Sequence, residues 1–289
     1  MANTPRDIVA SRQIAGGIAT RADSLTSRLL DVTTPIYRPD ARGKPEAIGS
    51  AVMLAIGPIR FLVSAAHVLN ERSHHNLYFP TESELVPLRG DFTRIFSTAA
   101  RTEEDDHVDL AVVRLSGDPW TSLDDKHFTQ WLELDHAGHF LMDYAFALLG
   151  YPLTKQRDPV QGPFLVAQAY RLIALECGQR VYDQERFDPN VHLLVGFDKR
   201  KTWSVDGQET APHLYGVSGG GLWSFRKHSV LEATRPPWLA AIAVEWRAKG
   251  QYKYVLATRI TVVLDALVQR YPDVRSTVLE LARVRPNSA

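Results

Sequence analysis

The chain has 289 residues, 45% hydrophobic and 23% charged, the balance of a globular protein with a substantial core. Its 33 basic residues match its 33 acidic ones, and a net charge of zero excludes nucleic-acid binding that works through a basic field. The single cysteine, Cys177, allows no intrachain disulfide, no run reaches the length of a membrane span, and the start lacks the apolar segment of a secretory signal, so a cytoplasmic protein without a membrane partner is expected.

Residues 1–45 read as an N-terminal extension with one short helix. Thr20-Arg-Ala-Asp23 has the form of a capping box, Ile18, Leu25 and Leu29 follow helical spacing, and Pro35 is expected to end the helix. From Gly49 the pattern changes to short apolar runs between turn residues: 51–56, 60–64, 110–115, 144–149, 166–174, 192–197, 222–225, 239–245 and 252–257. Many short strands with Gly and Pro between them predict a sandwich or a pair of barrels. The polar stretches 73–106, with its acidic run Glu103–Asp106, 176–190 and 198–213 read as loops, and 116–140 as the join between two halves. After Arg259 the period returns to helical, with Ile260, Val263, Leu264, Leu267 and Tyr271 on one face. Pro272 breaks that helix, and a second one runs over 273–284.

Three segments carry reactive groups. Gly216-Val-Ser-Gly-Gly-Gly-Leu222 presents a serine among glycines, Ser64-Ala-Ala-His67 ends in a histidine, and Asp109-Leu-Ala-Val-Val-Arg-Leu115 begins with an acid. A serine hydroxyl is a weak nucleophile until an imidazole takes its proton, and the imidazole in turn needs a carboxylate to orient it. Gly216-x-Ser218-x-Gly220 also satisfies the nucleophile elbow of α/β-hydrolases, but there the acid and histidine follow the serine. Only His228 follows Ser218, too soon to leave room for an acid, and no alternating βα units precede it. An esterase of that fold is therefore set aside. His107, the pair His74-His75, and His136 with His139 read as surface histidines, since none comes with a cysteine or with the Glu of a helical zinc motif; no metal or cofactor is expected.

The order His, Asp, Ser resembles that of the trypsin-like (chymotrypsin-fold) serine peptidases, over about residues 46–270. The three blocks are similar to that family's Ser/Thr-Ala-Ala-His, Asp-hydrophobic-Ala and Gly-Asp-Ser-Gly-Gly-Pro-Leu segments. Gly150-Tyr-Pro152 after a strand and the strand-then-helix ending add to the likeness. The resemblance implies an all-β fold of two packed six-stranded Greek-key β-barrels with an N-terminal and a C-terminal helix. The first barrel, 46–135, would carry His67 and Asp109; the second, 136–259, would carry Ser218; helices would occupy 260–289. It implies a serine endopeptidase acting on protein or peptide substrates. Ser218 would attack the carbonyl, His67 would act as base then acid, Asp109 would orient His67, and the N–H groups of Gly216 and Ser218 would form the oxyanion hole.

The chain departs from the family at Val217, where digestive members have an Asp that pairs with a newly cleaved N-terminus. Ile14-Ala-Gly-Gly17 is not expected to be such an N-terminus, so the oxyanion loop must be ordered by its own packing, by substrate or by a regulatory protein partner. For substrate binding the resemblance points to Pro212, six residues before the serine, and to Val244-Glu-Trp-Arg247. Trp246 would wall the pocket, Arg247 would stand at its mouth, and Glu245 would reach the triad or the pocket. Pro212 gives no basis for an Arg/Lys preference. The second reading is a binding protein on a protease fold with an inactive or conditionally formed oxyanion hole.

Overall fold

The computed structural model describes residues 18–284, apart from 19, 21, 23, 82–83, 97–106, 118–122, 137–143, 158–165, 201, 205–206, 227–236 and 248–251. It is mostly β, with two curled antiparallel sheets and helices at both ends. The first sheet holds β1 (Thr33–Pro39), β2 (Pro45–Ile56), β3 (Ile59–Ala65), β4 (Tyr78–Pro80), β5 (Leu85–Pro87), β6 (Gly90–Ile95), β7 (Leu110–Leu115) and β8 (Thr129–Gln130). Its order is β5-β4-β1-β2-β3-β7-β6, with β8 lying parallel beside β2. The second sheet has the order β12-β9-β16-β17-β18-β13. Its strands are β9 (Tyr144–Gly150), β12 (Tyr170–Ala174), β13 (His192–Gly196), β16 (Gly221–Arg226), β17 (Trp238–Arg247) and β18 (Tyr254–Arg259). Two small ribbons pair β10 (Gln156–Arg157) with β11 (Val166–Ala167), and β14 (Thr202–Ser204) with β15 (Gly207–Glu209). The helices are α1 (24–32), α2 (Ala66–Asn70), α3 (Gln179–Glu185), α4 (Ile260–Arg270) and α5 (Pro272–Val284).

The central strands read as unbroken apolar runs because both of their faces are covered. Side chains alternate across a strand. In β7, Leu110 and Val112 enter a core shared by the two sheets, while Ala111 and Val113 enter the first sheet's own core. In β9, Ala145, Ala147 and Leu149 enter the shared core, while Phe146 and Leu148 enter the second sheet's core. The shared core also takes Ile18, Ala22, Leu25, Leu29 and Val32 from the N-terminal segment, and Val263, Leu264, Leu267, Tyr271 and Val274 from α4 and α5. The apolar stripes at helical spacing are thus docking faces.

Several boundaries differ from expectation. Thr20 is already helical, so it cannot cap the start, and Asp23 lies outside the described residues. Pro35 sits inside β1, opposite Ser50 of β2, and the helix has ended before it. The stretch read as a loop from 73 contains β4, β5 and β6; the first two are only three residues long and β6 mixes polar with apolar residues, which hid them, while Phe79, Val86 and Ile95 are buried. These additions, with β8, give the first sheet eight strands rather than six. Residues 176–190 contain α3, and 198–213 contain the β14–β15 ribbon. The acidic run 103–106, Ile14–Gly17, His139 and His228 lie outside the described residues.

Candidate active site

Asp109 and His67 meet at the start of α2. A helix leaves its first N–H groups without intrahelical acceptors. Here Ala66 N–H donates to the Asp109 carbonyl at 2.7 Å, and His67 N–H donates to Asp109 Oδ1 at 3.1 Å. The other carboxylate oxygen, Oδ2, lies 2.5 Å from His67 Nδ1. A carboxylate can only accept, so it selects the tautomer with the proton on Nδ1 and leaves Nε2 as the basic nitrogen. To cap the helix and hold the ring at once, Asp109 takes a left-handed backbone, φ 38°. Aspartate tolerates this better than most residues. Thr258 of β18 donates from Oγ1 to the Val108 carbonyl at 2.8 Å and braces the same bend from the second sheet. The His67 side chain is 54% exposed and that of Asp109 19%, so the base faces solvent while its orienting acid is sheltered.

Ser218 arrives from the second sheet on a loop that docks against the first. Its carbonyl accepts from Ser50 N–H at 2.8 Å. A Cβ at Gly219 would overlap Ser50 O and Ser64 Oγ, so only glycine lets the loop come this close. Ser64 is three residues before His67, and Ser64 Oγ donates to Ser50 O at 2.6 Å. No hydrogen bond joins Ser218 Oγ to His67 Nε2, and among the described residues neither atom has a partner. Such bonds are commonly long or misaligned before substrate is bound.

The backbone around Ser218 is fixed plane by plane. In a trans peptide the N–H points opposite to the C=O. The Tyr215 carbonyl accepts from Leu153 N–H at 2.7 Å, so Gly216 N–H is directed away from Leu153. The Gly216 carbonyl accepts from Ser50 Oγ at 2.8 Å, and Val217 N–H donates to Leu214 O at 3.0 Å. The Val217 carbonyl accepts from Gly220 N–H at 2.8 Å, which turns Ser218 N–H the other way. Gly219 N–H donates to Ala243 O at 2.7 Å. Among the described residues, Gly216 and Ser218 are left with N–H groups that have no acceptor, one on each side of Val217. Gly216 holds φ 90°, and a Cβ there would lie 2.7 Å from Tyr151 O. Val217 itself is buried against Gly150 in the second sheet's core.

Of the residues expected to bind substrate, Trp246 lies against this loop. Its ring meets His213 at 5.8 Å, Tyr215 at 6.4 Å and Phe197 at 5.6 Å. Pro212 is half-buried at the foot of the same loop. Glu245 and Arg247 flank Trp246 along β17 and pair with each other at 3.1 Å, and the Arg247 guanidinium lies over Phe187 beside Glu185. Trp246 therefore packs on the loop, whereas Arg247 turns to Glu245 and Phe187.

Burial and the neighbouring Glu176 push the Cys177 thiol up to about 11, so it stays protonated and makes a poor competing nucleophile. His74 is exposed, His107 is exposed with its ring edge on Phe187, and no group of potential metal ligands forms among the described residues. No described helix is long and apolar enough to cross a membrane. Sequence reasoning missed Ser50, Leu153 and Thr258. For Ser50 a signal exists: it is a lone hydroxyl entering the apolar run Ala51–Ile56. Leu153 acts through its backbone and leaves no such trace. No family model matches the sequence, and the search of curated proteins finds no match.

Proposed function

We propose that the protein is a serine endopeptidase of the chymotrypsin-like type, with Ser218 as nucleophile, His67 as general base and acid, and Asp109 as the group that orients His67. The two curled sheets are read as its two barrels, the second within 136–259 and the first beginning at β1 (Thr33–Pro39), inside the expected extension, rather than at 46. The observation that carries the reading is the pair of N–H donors at Gly216 and Ser218, left without an acceptor among the described residues, on a loop docked against the sheet that carries an imidazole whose tautomer an acid has set. A tetrahedral intermediate needs two such donors, and losing one typically costs ~100–1,000-fold in rate. The acyl-enzyme forms as Ser218 Oγ attacks the peptide carbonyl. His67 Nε2 takes the hydroxyl proton and passes it to the leaving amine, and water reverses the sequence. Substrate would run past Trp246 and the Tyr215 loop. A cytoplasmic location, the absence of a cofactor, and limited proteolysis belong to the same proposal.

The unmade bond between Ser218 and His67 favours the second reading, a binding protein on this fold. A fluorophosphonate probe and a peptide library separate the two. The peptidase reading expects covalent labelling and cleavage by the wild type and neither by Ser218→Ala. A wild type that stays unlabelled while its ligands bind equally well to Ser218→Ala would establish the binding protein instead.

A further inference from the structure

Ser50 uses every polar group it has on the nucleophile loop or its supports. Its side chain is fully buried at the end of the apolar stretch of β2. Its N–H donates to Ser218 O at 2.8 Å, and its hydroxyl donates to Gly216 O at 2.8 Å while accepting from Tyr151 N–H at 2.9 Å. Its carbonyl accepts from Ser64 Oγ at 2.6 Å. One residue of the first sheet thus holds the carbonyls on both sides of Val217. It also joins them to Gly150-Tyr151-Pro152-Leu153, the strip that supports Val217 and the Tyr215 carbonyl.

Val217 has no charge with which to order this loop, yet the loop is ordered. We infer that Ser50 is the positioning residue that keeps both N–H donors presented, so that the loop is competent without cleavage of the chain and without a partner. The inference rests on the peptidase reading and adds its mode of control. The physical reason lies in the Gly216–Val217 peptide. Glycine puts no Cβ barrier in the way of rotation about its backbone. With Ser50 Oγ removed, the buried Gly216 carbonyl and the Tyr151 N–H both lose their acceptor or donor, which a folded protein rarely tolerates. Rotation of the Gly216–Val217 peptide would release the carbonyl from that site at the cost of the Val217 N–H bond to Leu214 O, and would turn it toward the Gly216 and Ser218 donors.

Ser50→Ala tests this, since it keeps the backbone bond to Ser218 and deletes only the hydroxyl. Expected are a fall in kcat of at least about tenfold with KM within about twofold, and an equal loss of affinity for a peptide boronate, whose tetrahedral oxygen occupies the hole. Ser50→Cys keeps the volume but is a weak hydrogen bonder, so it should show a smaller fall in a fully folded protein. A crystal structure of Ser50→Ala should show the Gly216 carbonyl rotated. Unchanged kcat and boronate affinity would overturn the inference, as would a fall in kcat with the Gly216 carbonyl unmoved. Failure of the wild type to take a fluorophosphonate would instead remove the peptidase reading. The direction of the Gly216 carbonyl in Ser50→Ala would then still decide whether Ser50 holds the loop.

Discussion

Asp109 unites two roles, satisfying the first N–H groups of a helix and orienting a base. Its carbonyl and Oδ1 satisfy the first N–H groups of α2, and Oδ2 holds the His67 ring. Substitution can separate them. An Asn amide oxygen can accept from His67 N–H as Oδ1 does, so Asp109→Asn should unfold within a few degrees of wild type while peptidase turnover falls by ~10⁴, because an amide can present the wrong partner to Nδ1. Calorimetry together with steady-state kinetics reads both. Thr258 acts one step further out, through the Val108 carbonyl. Thr258→Val should leave that buried carbonyl unpaired, at a cost of about 1–3 kcal/mol in stability by urea unfolding. In the peptidase reading it should also lower kcat with KM within about twofold, and Thr258→Ser, which keeps the hydroxyl, should restore it.

At the scale of elements, the strands were legible where a run of apolar residues is bounded by turn residues, as at Leu110–Leu115 and Tyr144–Gly150. They were hidden where a strand is only partly buried, as in β6, whose Gly90-Asp-Phe-Thr-Arg-Ile95 mixes polar and apolar residues. Tertiary pairing with β7 decides that strand, not its own propensity. α1 was legible from its spacing, but its entry into a core shared by both sheets was not. Leu29 is 1% exposed there, so Leu29→Ala should destabilise the whole protein by about 2–5 kcal/mol, measured by urea denaturation. The nucleophile loop gives the sharper case. Gly219 has φ 88° and no room for a Cβ against Ser50 O and Ser64 Oγ. Gly219→Ala should therefore push the loop off the first sheet and lower both the melting temperature and fluorophosphonate labelling, even though the serine remains.

Across the whole molecule, the two sheets meet through polar seams as well as through the shared core, and one of them should respond to pH. His192 is buried beside His107 and Phe187, and its Nδ1 lies 3.3 Å from Asp188 O. Burial holds its pKa below the ordinary histidine value. The unfolded chain therefore binds the proton more readily. The stability linked to His192 is complete above the ordinary value, about pH 6.5, and is lost as pH falls from there toward the folded pKa. Urea midpoints measured between pH 7.5 and 5 should fall for the wild type and fall less for His192→Gln. The sequence by itself determined the mostly β class, the terminal helices and the order His67, Asp109, Ser218, since all of these follow from local periodicity and residue chemistry. Tertiary structure alone decided that Ser50 and Leu153 hold the Ser218 loop with its Gly216 and Ser218 N–H groups lacking an acceptor among the described residues. Peptide-plane direction depends on which distant donor meets each carbonyl, and residues more than a hundred positions apart supply that meeting. The glycines of Gly216–Gly221 record in the sequence that a close approach occurs; only the fold names what approaches.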